Sequence, residues 1–177
     1  MVPKGWYLKS LGEIAEINPR KPDRPNDGLV SFIPMDAVSE SATVLRLEDR
    51  CYEDVEKGFT SFKDRDVLVA KITPCFENGK GAIVEGLTNG IGFGSTEFHV
   101  LRATPDASPS FIYYVTNTEQ FRIKGEANMQ GSAGQKRVTT DYLKILKILV
   151  PPISEQRKIA QILSTWDKAI ATAERLL

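Results

Sequence analysis

The chain has 177 residues, enough for one domain with a real core, and its 41% hydrophobic and 26% charged shares are ordinary for a globular protein. Lysine plus arginine and aspartate plus glutamate balance at 23 each, so net charge gives no argument for a polyanionic partner. No apolar run approaches the roughly 20 residues that a membrane-crossing helix needs, and the first residues lack a signal-peptide core, so a cytoplasmic protein is expected.

Ser10 and Glu13 fit a capping box, and with Leu11, Ile14 and Ile17 they predict a short helix over residues 10–17. Asn18-Pro19 ends it, and Pro19, Pro22 and Pro25 make the next stretch a polar loop. Short runs of strand character follow at 29–33, 66–72, 81–84 and 97–101. The segments between them are turn-rich, above all 73–80 and 88–95. Ser108-Pro109 marks a helix start, serine as cap and proline in the first turn. A glycine-rich polar stretch, 125–137, precedes a short helix near 141–146 and a last strand at 148–150. The predicted fold is α+β: a compact curved β-sheet with short helices, then a long C-terminal helix.

That helix begins after Pro151-Pro152, with Ser154 as its expected cap and Glu155 placing a negative charge at its positive end. Ile159, Ile162, Leu163, Trp166, Ile170, Ala173 and Leu177 recur at gaps of three and four, with Ala169 and Leu176 beside them. The stripe is either docked on its own domain or offered to a partner helix. Charge is uneven along the chain. Residues 48–66 hold seven acids against four bases, net −3, and residues 121–147 hold six bases against two acids, net +4. A polyanion prefers the second region.

Signs of catalysis are weak. His99 is the only histidine and sits in a strand-like alternation, where a structural or surface role is the plainer reading. Cys51 and Cys75 fall in no CxxC spacing, lack a nucleophile signature and are expected to be free thiols. Zinc would want a Cys/His cluster that the sequence does not offer. Gly90, Gly92 and Gly94 match neither a dinucleotide fingerprint nor a phosphate loop, and Asn89-Gly90 reads as a tight turn.

Four segments, in order, carry a resemblance. They are Gly5-Trp6 with Leu11-Gly12-Glu13-Ile14, the run Asp66 to Pro74 leading into Glu77-Asn78-Gly79-Lys80, Gly92-Phe93-Gly94-Ser95-Thr96-Glu97-Phe98, and Gly131 to Val138 followed by Pro151-Pro152-Ile153-Ser154-Glu155-Gln156. Together they cover nearly the whole chain, which resembles one half of the specificity subunit of a Type I restriction–modification enzyme. The resemblance implies a DNA target recognition domain, here residues 1–152, and a spacer helix, 153–177. Family members usually carry two such domains, with two long helices packed antiparallel that set the distance between DNA half-sites. It also implies a subunit that neither cuts nor methylates, but docks methyltransferase and restriction subunits. S-adenosylmethionine, ATP and magnesium would belong to those partners, and this chain would bind no cofactor or metal itself. With one domain and one helix, the chain is expected to be a piece of a longer subunit or a half-subunit that dimerises.

Reading DNA needs Arg or Lys for guanine and Asn or Gln for adenine. The glycine-flanked 131–137 loop suits this, with Gln135 assigned to a base and Lys136 and Arg137 to phosphate or guanine. Lys71, Asn78 and Lys80 flank the turn after a predicted strand, and Ser95 and Thr96 are candidate phosphate donors. Phe76 and Phe93 fit either a DNA contact or the core. Two other functions remain open. One is a small DNA-processing enzyme using the acidic 48–66 stretch for a metal. The other is a protein-interaction scaffold built on the C-terminal helix.

Overall fold

The structure is a computed structural model that describes residues 3–132 and 134–176. Among these residues, ten strands form two four-stranded sheets and a two-stranded ribbon. The ribbon pairs β1 (Tyr7–Ser10) antiparallel with β10 (Lys147–Val150). The first sheet has the order β2-β9-β6-β7, all antiparallel, from β2 (Ala15–Ile17), β9 (Phe98–Ala103), β6 (Val67–Ala70) and β7 (Gly81–Ile83). The second has the order β4-β3-β8-β5, from β4 (Glu48–Cys51), β3 (Leu29–Ile33), β8 (Ile91–Gly94) and β5 (Thr60–Lys63), with β3 and β8 parallel. Short helices α1 (Leu11–Ile14), α2 (Tyr52–Val55), α3 (Pro109–Thr116), α4 (Glu119–Glu126) and α5 (Thr140–Ile145) surround the sheets, and α6 (Ile153–Glu174) runs out from them. The predicted α+β class holds, with the expected curved sheet divided in two.

Residue alternation explains the core. In the first sheet Val67, Val69 and Leu101 pack against Phe111, Ile112, Phe121 and Leu143 from α3, α4 and α5. The opposite side, through Leu68, Val100 and Phe98, meets Ile33 and Phe62 of the second sheet. Because β6 is buried on both faces, its Val-Leu-Val-Ala run shows no polar alternation.

Three of the predicted elements differ from the sequence reading. The expected 10–17 helix is one turn, α1, after which Ala15–Ile17 pairs with β9 as β2. Glu13 accepts from the Ser10 N–H at 2.6 Å, as the capping box requires, but the Ser10 hydroxyl turns onto the same carboxylate. The 88–95 turn region is instead a turn followed by strand β8: Asn89 and Gly90 adopt the positive φ values of a tight turn, and residues 91–94 then enter the sheet. Gly92 stands opposite Phe62, and a β-carbon there would lie 2.1 Å from the ring, so the missing side chain is what admits the aromatic. Ser154 does not cap α6. Pro152 occupies the cap position and Ser154 lies within the first turn, where Glu155 accepts from the Trp6 indole N–H at 3.2 Å.

Two halves of α6 behave differently. Its first turns join the globular body through Ala160 and the fully buried Gln156, whose Oε1 accepts from Ser108 N–H at 2.9 Å while Nε2 donates to Pro151 O at 2.9 Å. Ser108 in turn caps α3 by accepting from Phe111 N–H, as its sequence predicted. One amide thus joins the starts of both helices. Gln156→Leu should leave a buried donor and a buried acceptor unpaired and destabilise the protein by on the order of 1–3 kcal/mol. A shift of the urea midpoint measures this, and an unchanged midpoint would remove Gln156 from the joint.

Candidate nucleic-acid interface

Three chain segments converge where β6 ends and β9 begins. Lys71 donates its backbone N–H to Glu97 O at 2.9 Å, and its carbonyl accepts from Val138 N–H at 2.9 Å. Thr73 N–H then reaches Lys136 O, also at 2.9 Å. The 130–137 loop is closed at its base by paired bonds between Gln130 and Arg137, at 2.8 and 2.9 Å. Its turn relies on positive φ at Gly131 and Gly134. Ala133 lies outside the described residues.

Six of the sequence-predicted residues meet along this edge: Lys71, Ser95, Thr96, Gln135, Lys136 and Arg137. Gln135, Lys136 and Thr96 are exposed, and Lys71 is half-buried. Neither Lys71 nor Lys136 makes an ion pair among the described residues. Arg137 does: its Nε and Nη2 grip the Glu97 carboxylate at 2.8–3.2 Å, and Nη1 donates to Gln135 O at 3.0 Å. Ser95 Oγ is engaged by Glu97 N–H, a local turn contact. Asn78 and Lys80 sit across the 73–80 turn, where Asn78 Nδ2 donates to Glu40 at 2.7 Å. The Asp36 carboxyl nearby is held below the usual range by Arg46 first, with Lys80 adding to it. Phe76 and Phe93 are core side chains. Phe76 lies over α4 at Gly125, where a β-carbon would come within 2.2 Å of its ring.

A family model described as Type I restriction modification DNA specificity domain matches residues 3–177. The chain belongs to that family. It is similar to two Escherichia coli proteins, the Type I restriction enzyme EcoAI specificity subunit (40% identical, 94% of this chain) and the EcoEI specificity subunit (37% identical, 99% of this chain). The chain spans 29% of the length of each. Its fold is similar to the crystal structure of the HsdS subunit from Thermoanaerobacter tengcongensis, at TM-score 0.78 and 20% identity, over 99% of this chain and 45% of the other.

The far face of α6 in this specificity domain carries the predicted apolar stripe. Ile159 is half-buried, whereas Ile162, Trp166 and Ile170 are 59%, 65% and 54% exposed, and Leu163 and Ala173 are exposed too. Leu177 lies outside the described residues. On the other face, Tyr114 of α3 donates its hydroxyl to Asp167 at 2.6 Å. No helix of the described residues is long and apolar enough to cross a membrane.

The acidic 48–66 stretch of the specificity domain is largely ion-paired. Glu48 meets Arg46 and Arg50, Glu53 meets Arg24, Glu56 meets Lys21, and the buried Asp66 takes Arg102 at 2.7 Å. Among the described residues no three Asp, Glu, His or Cys side chains group to hold a metal. His99 is buried, its Nε2 at 2.7 Å from Val138 O and its Nδ1 at 3.3 Å from Asn18 Nδ2. A carbonyl accepts and an amide donates, which assigns the proton to Nε2 and leaves neither nitrogen to activate a cysteine. The ring ties β9 to the loop end that carries Lys136 and Arg137. Sequence reasoning missed this tether, because Asn18 is remote in the chain.

Burial pushes the His99 imidazole below its ordinary value of 6.5, against a raising effect of the Val138 bond. The unfolded chain therefore binds the proton more readily, and stability present above pH 6.5 should be lost as pH falls through the lower folded value. Unfolding midpoints measured from pH 7 downward should decline less for His99→Gln than for the wild type. Parallel profiles would contradict the buried neutral imidazole.

Proposed function

We propose that this chain is a sequence-reading module of a Type I restriction–modification enzyme, which binds double-stranded DNA through the edge built by residues 71–73, 95–97 and 130–138. The observation that carries the reading is the convergence there of unpaired lysines, exposed amide and hydroxyl groups, and a glycine-bearing loop on a hydrogen-bonded base. Cations fix a protein on phosphates, and amides and guanidinium groups discriminate base edges. Lys71 and Lys136 take phosphate roles, Gln135 an adenine and Arg137 a guanine. Ser95 and Thr96 assist at the backbone, and Asn78 and Lys80 form the flank. Catalysis lies elsewhere: a methyltransferase subunit with S-adenosylmethionine modifies adenine, and a restriction subunit with ATP and magnesium cleaves. The module itself holds no cofactor and works in the cytoplasm.

Residues 1–152 act as the target recognition domain and 153–177 as the spacer. The exposed α6 stripe packs antiparallel against a second helix, from another recognition domain or a second copy. An unpartnered face with three large apolar side chains more than half exposed supports this division of labour.

Two outcomes test the reading. Lys71→Ala and Lys136→Ala should each weaken binding evenly across DNA sequences and reduce the salt dependence by about one counterion. Fluorescence titrations of mixed-sequence duplexes at several salt concentrations measure this, and unchanged slopes for both would move the interface elsewhere. For α6, the double substitution Ile162→Glu with Ile170→Glu should abolish helix-mediated association while leaving the monomer folded. Sedimentation of the variant beside the wild type decides it, and an identical association state would remove the stripe from the interface.

A further inference from the structure

The Arg137–Glu97 pair has a geometry that a simple loop tie does not require. A guanidinium has five N–H groups. The side-on grip uses Nε and one hydrogen of Nη2 on Glu97, and one hydrogen of Nη1 goes to Gln135 O. One N–H therefore remains on each terminal nitrogen, and the side chain is 41% exposed. The backbone beneath is held on both sides, by Gln130 and through the Ile72 bridge, so the fork stands on fixed ground. Arg137 holds the Glu97 carboxyl below its ordinary range, which keeps the carboxylate ionised and the guanidinium charge offset at neutral pH.

We propose that Glu97 is a positioning residue for Arg137, orienting the guanidinium so that its two remaining N–H groups meet the O6 and N7 acceptors of one guanine in the major groove. The inference rests on the reading that this edge meets duplex DNA. Guanine offers two adjacent acceptors that match a fork. A phosphate fits poorly here, because the Glu97 carboxylate would repel it, and the unpaired Lys136 beside it already serves that role. The pair thus separates two tasks on neighbouring residues, Lys136 for charge and Arg137 for hydrogen-bond readout. Holding the fork in place before binding removes part of the ordering cost that a free arginine would bear on the DNA.

The test uses the protein together with its methyltransferase subunit and a duplex oligonucleotide bearing the site that the wild-type complex selects from randomised DNA. Every base pair is varied in turn. Arg137→Lys, which keeps the charge but loses the fork, and Glu97→Gln should both lose about ten-fold or more of the discrimination at one and the same guanine position. Glu97→Gln should at the same time strengthen non-specific binding and steepen its salt dependence, because it uncovers a positive charge. Glu97→Asp should restore part of the discrimination. Full discrimination in Glu97→Gln, or an even loss at all positions in Arg137→Lys, would overturn the proposal and leave the pair as a loop tie. A wild-type complex without any sequence preference would overturn the DNA-reading function itself.

Discussion

The backbone of Lys71 is the joint on which the candidate interface depends. Its N–H bonds Glu97 and its carbonyl bonds Val138, so one residue beyond β6 continues the sheet in both directions. Those two bonds set the 95–97 turn and the 130–137 loop, more than thirty residues apart in sequence, on one backbone frame. Burial on both faces of β6 fixes the strand that ends in Lys71. The His99 ring closes the same frame from the side chain, with Nε2–H on the Val138 carbonyl. A rigid core strand thereby presents polar loops, an arrangement that places variable chemistry on a fixed base.

The two halves of α6 divide along the same logic. Gln156 joins its start to α3 through buried hydrogen bonds, so the helix leaves the body in a set direction. Tyr114 and Asp167 extend that contact to the fourth turn. On the opposite face, Ile162, Trp166 and Ile170 remain apolar and exposed. The spacer role proposed for α6 calls for a helix rigid at its root and adhesive along its length, and different residues of this one helix supply the two properties.

The sequence disclosed the long helix, the start of α3, strands β3, β6, β7 and β9, and the loop with its glycines, because period and caps are local signals. It concealed β8, where Gly92 and Gly94 leave no side chains to alternate, and the charged β4, whose pairing with β3 rather than its own pattern makes it a strand. Helix α4 was hidden because Gly125 read as loop, although that glycine is needed under Phe76. Family resemblance named the 131–137 loop. What it did not reveal was the engagement of Arg137 by Glu97, forty residues away, or of Asn78 by Glu40. Such pairings are set by tertiary register, which composition and spacing do not encode.

The most direct test of the central claim is to co-express the protein with a Type I methyltransferase subunit from its host and map methylated adenines across the host genome. A new two-part methylated motif is the predicted result. Inverted halves would report two copies of this domain, and unlike halves a second recognition domain. An unchanged methylation map, together with no complex between the two proteins, would contradict the account.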